Sequence, residues 1–169
     1  DQIIFDLSKY AEIKIENFVV CILDRPRHKN LISLVRETGA RIKLIADGDV
    51  SAVIATTVEN SGVDLYLGAG GSPEGVLAAA ALRCLGGKIY GKLLFENDLE
   101  KNRSIKMGIK DLNKIYTTED LASGEVMFAA TGVTDGSLLK GVLIKNNISS
   151  TQSVVMRSKT KTVRYVSAN

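Results

Sequence analysis

The first half of the chain alternates short apolar runs with segments of helical spacing. Residues 17–23 (NFVVCIL) form a continuous β-branched and apolar run, which predicts a strand buried on both faces. The next segment, HKNLISLVRETG, places Leu31, Leu34 and Val35 at helical spacing and stops at Gly39. Residues 41–47 (RIKLIAD) predict a second strand, and residues 50–62 (VSAVIATTVENSG) a second helix ending at Asn60 and Gly62. A third strand over residues 63–71 (VDLYLGAGG) runs into glycines, and a nearly uncharged helix over residues 74–87 closes at Gly86 and Gly87. Alternation of this kind, with short connections, predicts an α/β fold: a sheet of mostly parallel strands flanked by helices.

The second half is less regular. KIYGKLLF predicts a strand, and DLEKNRSIKMGIKDLN a charged surface helix. EVMFAATGV predicts a buried strand, followed by an Asp135-Gly136 turn before another apolar run. SVVMRSKTKTVRYV predicts a hairpin with a basic turn. No repeat or linker interrupts residues 1–169, so the pattern predicts one domain.

Composition narrows the function classes. Aromatic residues make up 5% and Trp is absent, which argues against stacking on bases or sugars as the main mechanism. The formal net charge of +3 is too small to imply a nucleic-acid partner. Cys21 and Cys84 lie in apolar runs without metal-ligand spacing, and His28 is the sole histidine, so a zinc site is not expected. Two free thiols fit a reducing, cytoplasmic setting. The first ten residues lack the basic and apolar regions of a secretory signal, and the longest apolar run is too short to span a bilayer.

Ligands in parallel α/β sheets gather beyond the C-terminal ends of the strands. Those ends are where the chemistry concentrates. The first strand exits into Asp24, Arg25, Pro26, Arg27 and His28. Pro26 biases Arg25 toward an extended backbone, and two guanidinium groups in a stiff loop suit a phosphate or carboxylate, although a solvated basic loop would look the same. The second strand exits into Asp47, Gly48 and Asp49. Either aspartate suits a helix cap, and either could accept hydrogen bonds from sugar hydroxyls. The third exits into Gly68, Gly70, Gly71, Ser72, Pro73 and Glu74. The spacing matches neither the dinucleotide fingerprint nor the P-loop. Pro73 and Glu74 suit a first helical turn, where the helix dipole favours a carboxylate, but the rigid frame around Glu74 also suits a metal ligand.

In order, LDRPRH, DGD, GAGGSPEG with its alanine-rich helix, ATGVTDGSLLKGV and MRSKTKTVR resemble the C-terminal half of class II fructose-1,6-bisphosphatases, including the fructose-1,6/sedoheptulose-1,7-bisphosphatase relatives. The resemblance covers nearly the whole chain and implies the C-terminal half of a fructose-bisphosphatase/inositol-phosphatase-like fold. It implies hydrolysis of the 1-phosphate of fructose 1,6-bisphosphate, a gluconeogenic step, with Mn²⁺ or Mg²⁺ as cofactor. Sedoheptulose 1,7-bisphosphate is a further substrate of such relatives. Carried over by position, Glu74 is a metal ligand, and Arg25, Pro26, Arg27, Asp47, Gly48, Asp49 and Gly71 contact substrate. Arg25 stands where lysine is frequent, and Ser72 where alanine is common.

The family's remaining metal ligands belong to N-terminal motifs that this sequence does not contain. The expectation is therefore a chain that supplies the substrate-binding part and one metal ligand, inactive alone, with the N-terminal catalytic half as its missing partner. The resemblance also implies a homo-oligomer. The alternative is a non-catalytic phosphosugar-binding or regulatory module. A generic nucleotide-binding domain ranks third, because the glycine spacing is wrong.

Overall fold

The computed structural model describes residues 2–169. An amphipathic helix, α1 (Gln2–Tyr10), opens the chain and buries Ile4. Strand β1 (Val19–Leu23) follows, then a 3-10 turn (Pro26–His28) that leads directly into α2 (Lys29–Glu37). Gly39, at φ +82°, turns the chain into β2 (Arg41–Ile45). Helix α3 (Asp49–Ala55), β3 (Leu65–Tyr66) and α4 (Ser72–Leu85) complete the alternating half. The sheet order is β2-β1-β3, with both pairings parallel. The predicted parallel sheet flanked by helices is present in this half.

Alternation along β1 explains why it is buried on both faces. Val20 and Ile22 pack with Ile4, Phe18, Ile32 and Val35 on the α1/α2 side. Cys21 points the other way and packs with Ala52 of α3 and Val63. Burial pushes the Cys21 and Cys84 thiols up, so both stay protonated and unreactive. Helix α3 is shorter than its apolar pattern predicts. The hydroxyls of Thr56 and Thr57 donate back to the carbonyls of Val53 and Ile54 at 2.7 and 2.8 Å, and Ser61 donates to Ala55 at 2.6 Å. These side chains satisfy the last helical carbonyls and end the helix early.

The second half departs from the mostly parallel expectation. Strands β4 (Tyr90–Lys92) and β5 (Ile115–Thr117) form a small antiparallel pair. Helix α5 (Asp98–Lys106) is a surface helix with no buried residue, capped by Asn97. The short α6 (Thr118–Leu121) begins with a capping box between Thr117 and Asp120. The remaining strands, β6 (Met127–Thr131), β7 (Leu143–Lys145), β8 (Ile148–Arg157) and β9 (Thr162–Ala168), pair only antiparallel. Strands β8 and β9 are the predicted hairpin. Strand β6 is half-buried rather than fully buried: Phe128 packs inward while Met127 is exposed.

Helix α4 joins the two halves. Its alanines let neighbours approach on several sides. Ala78 and Leu82 pack with Val53 of α3. Ala81 and Cys84 pack with Phe128, Val154 and Met156 of the antiparallel sheet. The helix ends as predicted at Gly86, whose left-handed φ of +89° lets its N–H reach the carbonyl of Leu82 at 2.7 Å. Lys161 in the β8–β9 turn donates to the carbonyl of Arg83 at 2.7 Å, which pins the hairpin to the same helix end.

Candidate sugar-phosphate site

The three parallel strand ends bring the predicted site residues to one edge of the sheet, in unequal proximity. Arg25 adopts φ −133° and ψ 147°, the extended backbone expected before proline, and Pro26 starts the 3-10 turn. That geometry puts Arg25, Pro26 and Arg27 on an exposed corner. Arg27 reaches across to the third exit, where its Nε–H donates to the carbonyl of Ala69 at 2.8 Å. The Arg25 guanidinium instead stays local, donating to the carbonyl of Asp24 at 3.4 Å.

Gly48 is the N-cap of α3 and sits at φ 84°, ψ 41°, a left-handed conformation that favours glycine. Neither aspartate therefore caps the helix with its side chain. Asp47 instead accepts from the N–H of Gly48 at 2.8 Å, and Asp49 from the N–H of Val50 at 2.9 Å. The free lone pairs of both carboxylates remain for other donors.

Gly71 is the N-cap of α4, and Glu74 stands in its first turn. The Glu74 carboxylate folds back over the Cα of Gly71, where a side chain would otherwise stand. Glycine at 71 thus lets the carboxylate lie against the loop. A methyl group at Gly70 would come within 3.3 Å of Oδ2 of Asp49, so the second exit packs closely against the glycine loop too.

A cavity of about 510 Å³ opens on this edge and is lined by Asp49, Tyr66, Gly71, Glu74 and the β4 residues Tyr90 and Lys92. That size falls in the range of small-molecule sites. Asp47 and Gly48 border a separate cavity of about 280 Å³ with Cys21 and Lys43. Arg25, Pro26 and Arg27 line neither of these two cavities. The Tyr66 phenol is pushed up to about 12 by burial and by the charge of Asp49, so it remains a neutral donor at the cavity wall.

Three contributors to the site carry no strong sequence signal. His28 is buried and bonds to the glycine loop, accepting from the N–H of Ala69 at 2.9 Å. A lone histidine after a strand gives no hint of this. Lys92 and Tyr90 reach the cavity because Thr118, itself buried, accepts from the N–H of Ile89 at 2.9 Å and fixes the start of β4. The Thr117–Asp120 box was legible in principle as T-x-x-D.

The donor set falls short of a complete cation site. Mg²⁺ or Mn²⁺ takes about six oxygen ligands. Among the described residues no group of three or more His, Cys, Asp or Glu side chains could hold a metal ion. Glu74 and Asp49 are the carboxylates of the larger cavity. No helix among the described residues is long and apolar enough to cross a membrane.

Fold and site together define an α/β protein whose parallel strand ends hold a cleft lined by carboxylates and a glycine loop, with a guanidinium corner tied to that loop beside it. Residues 1–169 match the family model described as bacterial fructose-1,6-bisphosphatase, glpX-encoded. Curated relatives agree. The chain is 43% identical over 173 residues to proteins of Crocosphaera subtropica and Trichodesmium erythraeum named D-fructose 1,6-bisphosphatase class 2/sedoheptulose 1,7-bisphosphatase. It is 42% identical to the protein of the same name from Microcystis aeruginosa. Each match covers 95% of this chain and 50% of the relative. The chain thus belongs to the glpX-type family of bacterial class 2 fructose-1,6-bisphosphatases. It spans about half the length of the curated relatives it matches.

Proposed function

We propose that this chain supplies the substrate-binding part of a metal-dependent phosphatase acting on the 1-phosphate of fructose 1,6-bisphosphate. Sedoheptulose 1,7-bisphosphate, included in the names of the relatives, is the second substrate in this reading. The observation that carries it is the bond from Arg27 to Ala69, which ties a cationic strand exit to the loop leading into Glu74. Arg27, with Nε engaged by the loop, presents its terminal nitrogens to a phosphate, and Arg25 adds a second fork at the same corner. Asp47 and Asp49 accept hydrogen bonds from sugar hydroxyls, and Asp49 does so from inside the larger cavity. Gly71 gives close approach to the loop backbone. Glu74 contributes one oxygen ligand toward Mg²⁺ or Mn²⁺. Such an ion, when bound, would supply charge neutralisation at the phosphoryl oxygens and a more acidic water. In this reading its other ligands come from the N-terminal half whose motifs this sequence does not contain, and the assembled enzyme is a cytoplasmic homo-oligomer.

A second reading, a phosphosugar-binding module without catalysis, draws on the absence of a three-ligand cluster among the described residues. Two measurements separate the readings. Calorimetry should show that the folded chain binds fructose 1,6-bisphosphate more tightly than fructose, with at least a tenfold loss in Arg27→Ala. Phosphate release should then appear with Mn²⁺ when the chain is combined with the remaining half of a matched relative, and vanish in Glu74→Gln. Binding without restorable turnover supports the module. A folded chain with no affinity for any sugar phosphate overturns both.

A further inference from the structure

We propose that His28 is a positioning residue that holds the glycine loop, and through it Arg27, in register for an anionic substrate. The proposal rests on the reading of Arg27 as a phosphate-binding group.

The hydrogen bonds define one protonation state. Nδ1 lies 2.8 Å from the carbonyl oxygen of Leu23, which only accepts, so Nδ1 carries the proton. Nε2 lies 2.9 Å from the N–H of Ala69, which only donates, so Nε2 accepts. A neutral imidazole with its proton on Nδ1 satisfies both ends, and it does so at 2% exposure. The carbonyl of Ala69, 3.1 Å from Nε2, accepts its hydrogen bond from Arg27 Nε–H instead. Both polar atoms of Ala69 are therefore held by consecutive residues, 27 and 28, of the 3-10 turn that follows β1.

Ala69 sits between Gly68 and Gly70, in the stretch of chain with the most backbone freedom to lose. The packing agrees with a clamp. A methyl group at Gly68 would meet Cε1 of His28 at 3.3 Å and Oη of Tyr66 at 3.2 Å. Ordering this loop fixes two things at once: the direction in which Arg27 presents its free nitrogens, and the entry into the turn that carries Glu74. His28 touches no substrate in this scheme. It acts through Ala69.

Paired substitutions test the claim. His28→Gln places an amide oxygen near the position of Nε2 and keeps an acceptor for Ala69. His28→Asn keeps a donor for Leu23 but cannot reach Ala69. Both remove the ring, so both lower the melting temperature. Amide hydrogen exchange by NMR is expected to show Ala69 protected in the wild type and in the Gln variant, and exposed in the Asn variant, with Val20 and Ile22 of the core strand protected alike in the two variants. Calorimetric affinity for fructose 1,6-bisphosphate is expected to fall about tenfold further in Asn than in Gln, the upper range for one lost hydrogen bond. Equal Ala69 exchange in the two variants, or equal affinity with wild-type binding intact, overturns the proposal. If the wild-type chain binds no sugar phosphate while the exchange pattern holds, the clamp stands and the failure falls on the substrate reading alone.

Discussion

Gly71→Ala separates the site from the fold. At φ −67° and ψ 142°, Gly71 occupies a backbone conformation open to any residue, so alanine introduces no backbone strain. Two opposing effects act on stability. Alanine is a poorer N-cap than glycine, at a cost of roughly 0.5–1 kcal/mol. It also removes freedom from the unfolded chain, which returns about 0.4–1 kcal/mol. The net change is expected within about 0.5 kcal/mol of zero. The site responds differently. The new methyl group occupies the place of the Glu74 carboxylate, which is exposed at the far end of a flexible side chain and must swing away. Urea unfolding reports the first effect, and the ¹³C shift of the Glu74 carboxyl, followed through a Mn²⁺-free pH titration, reports the second. Calorimetry with fructose 1,6-bisphosphate should show weaker binding. A stability loss above about 2 kcal/mol would refute the backbone argument. An unmoved carboxyl resonance would refute the contact.

Other outcomes follow from the packing and the charges. Leu82→Ala, fully buried between α3 and α4, should cost about 2–5 kcal/mol in urea unfolding. Gly132→Ala should destabilise by about 1–3 kcal/mol or more, because its methyl group runs into the backbone of Lys140, which cannot rotate aside; a neutral change would contradict the loop geometry. Asp120 is held at about 2 by its bond from Lys114 and by the Thr117 N–H, below its ordinary 3.8. Its folded value is depressed, so its stabilising contribution is complete above pH 3.8 and is lost as pH falls through about 2. Asp120→Asn should erase that dependence in an acid titration followed by NMR of α6. Tyr66 should give a tyrosinate absorbance step near pH 12 that Tyr66→Phe removes; the raised value also means stability declines as pH rises above 10.

The alternating half was legible because each element there obeys one period. Strand β1 is apolar on both faces, α2 shows helical spacing, and Gly39 and Gly86 adopt the left-handed turns expected of helix stops. The second half was less legible because its strands are short and half-exposed. Their pairing partners, such as Met127 with Arg157, lie 30 residues apart. Helix α1 was overlooked, although Ile4 and Leu7 already carry helical spacing in the sequence. At the site, residue types were readable but their distribution was not. Nothing in D-G-D indicates that Asp49 faces the larger cavity while Asp47 borders another. His28 was unreadable for a related reason, since its role depends on backbone atoms 41 residues away.

Helix α4 has a consequence for any attempt to alter this protein. It begins under Glu74, and its later turns are wedged between α3 and the antiparallel sheet. A rod gripped along its length cannot be reset at one end only. Bulk added at Ala81, about two turns along the helix from Glu74, would therefore be felt as a tilt at the mouth of the cleft.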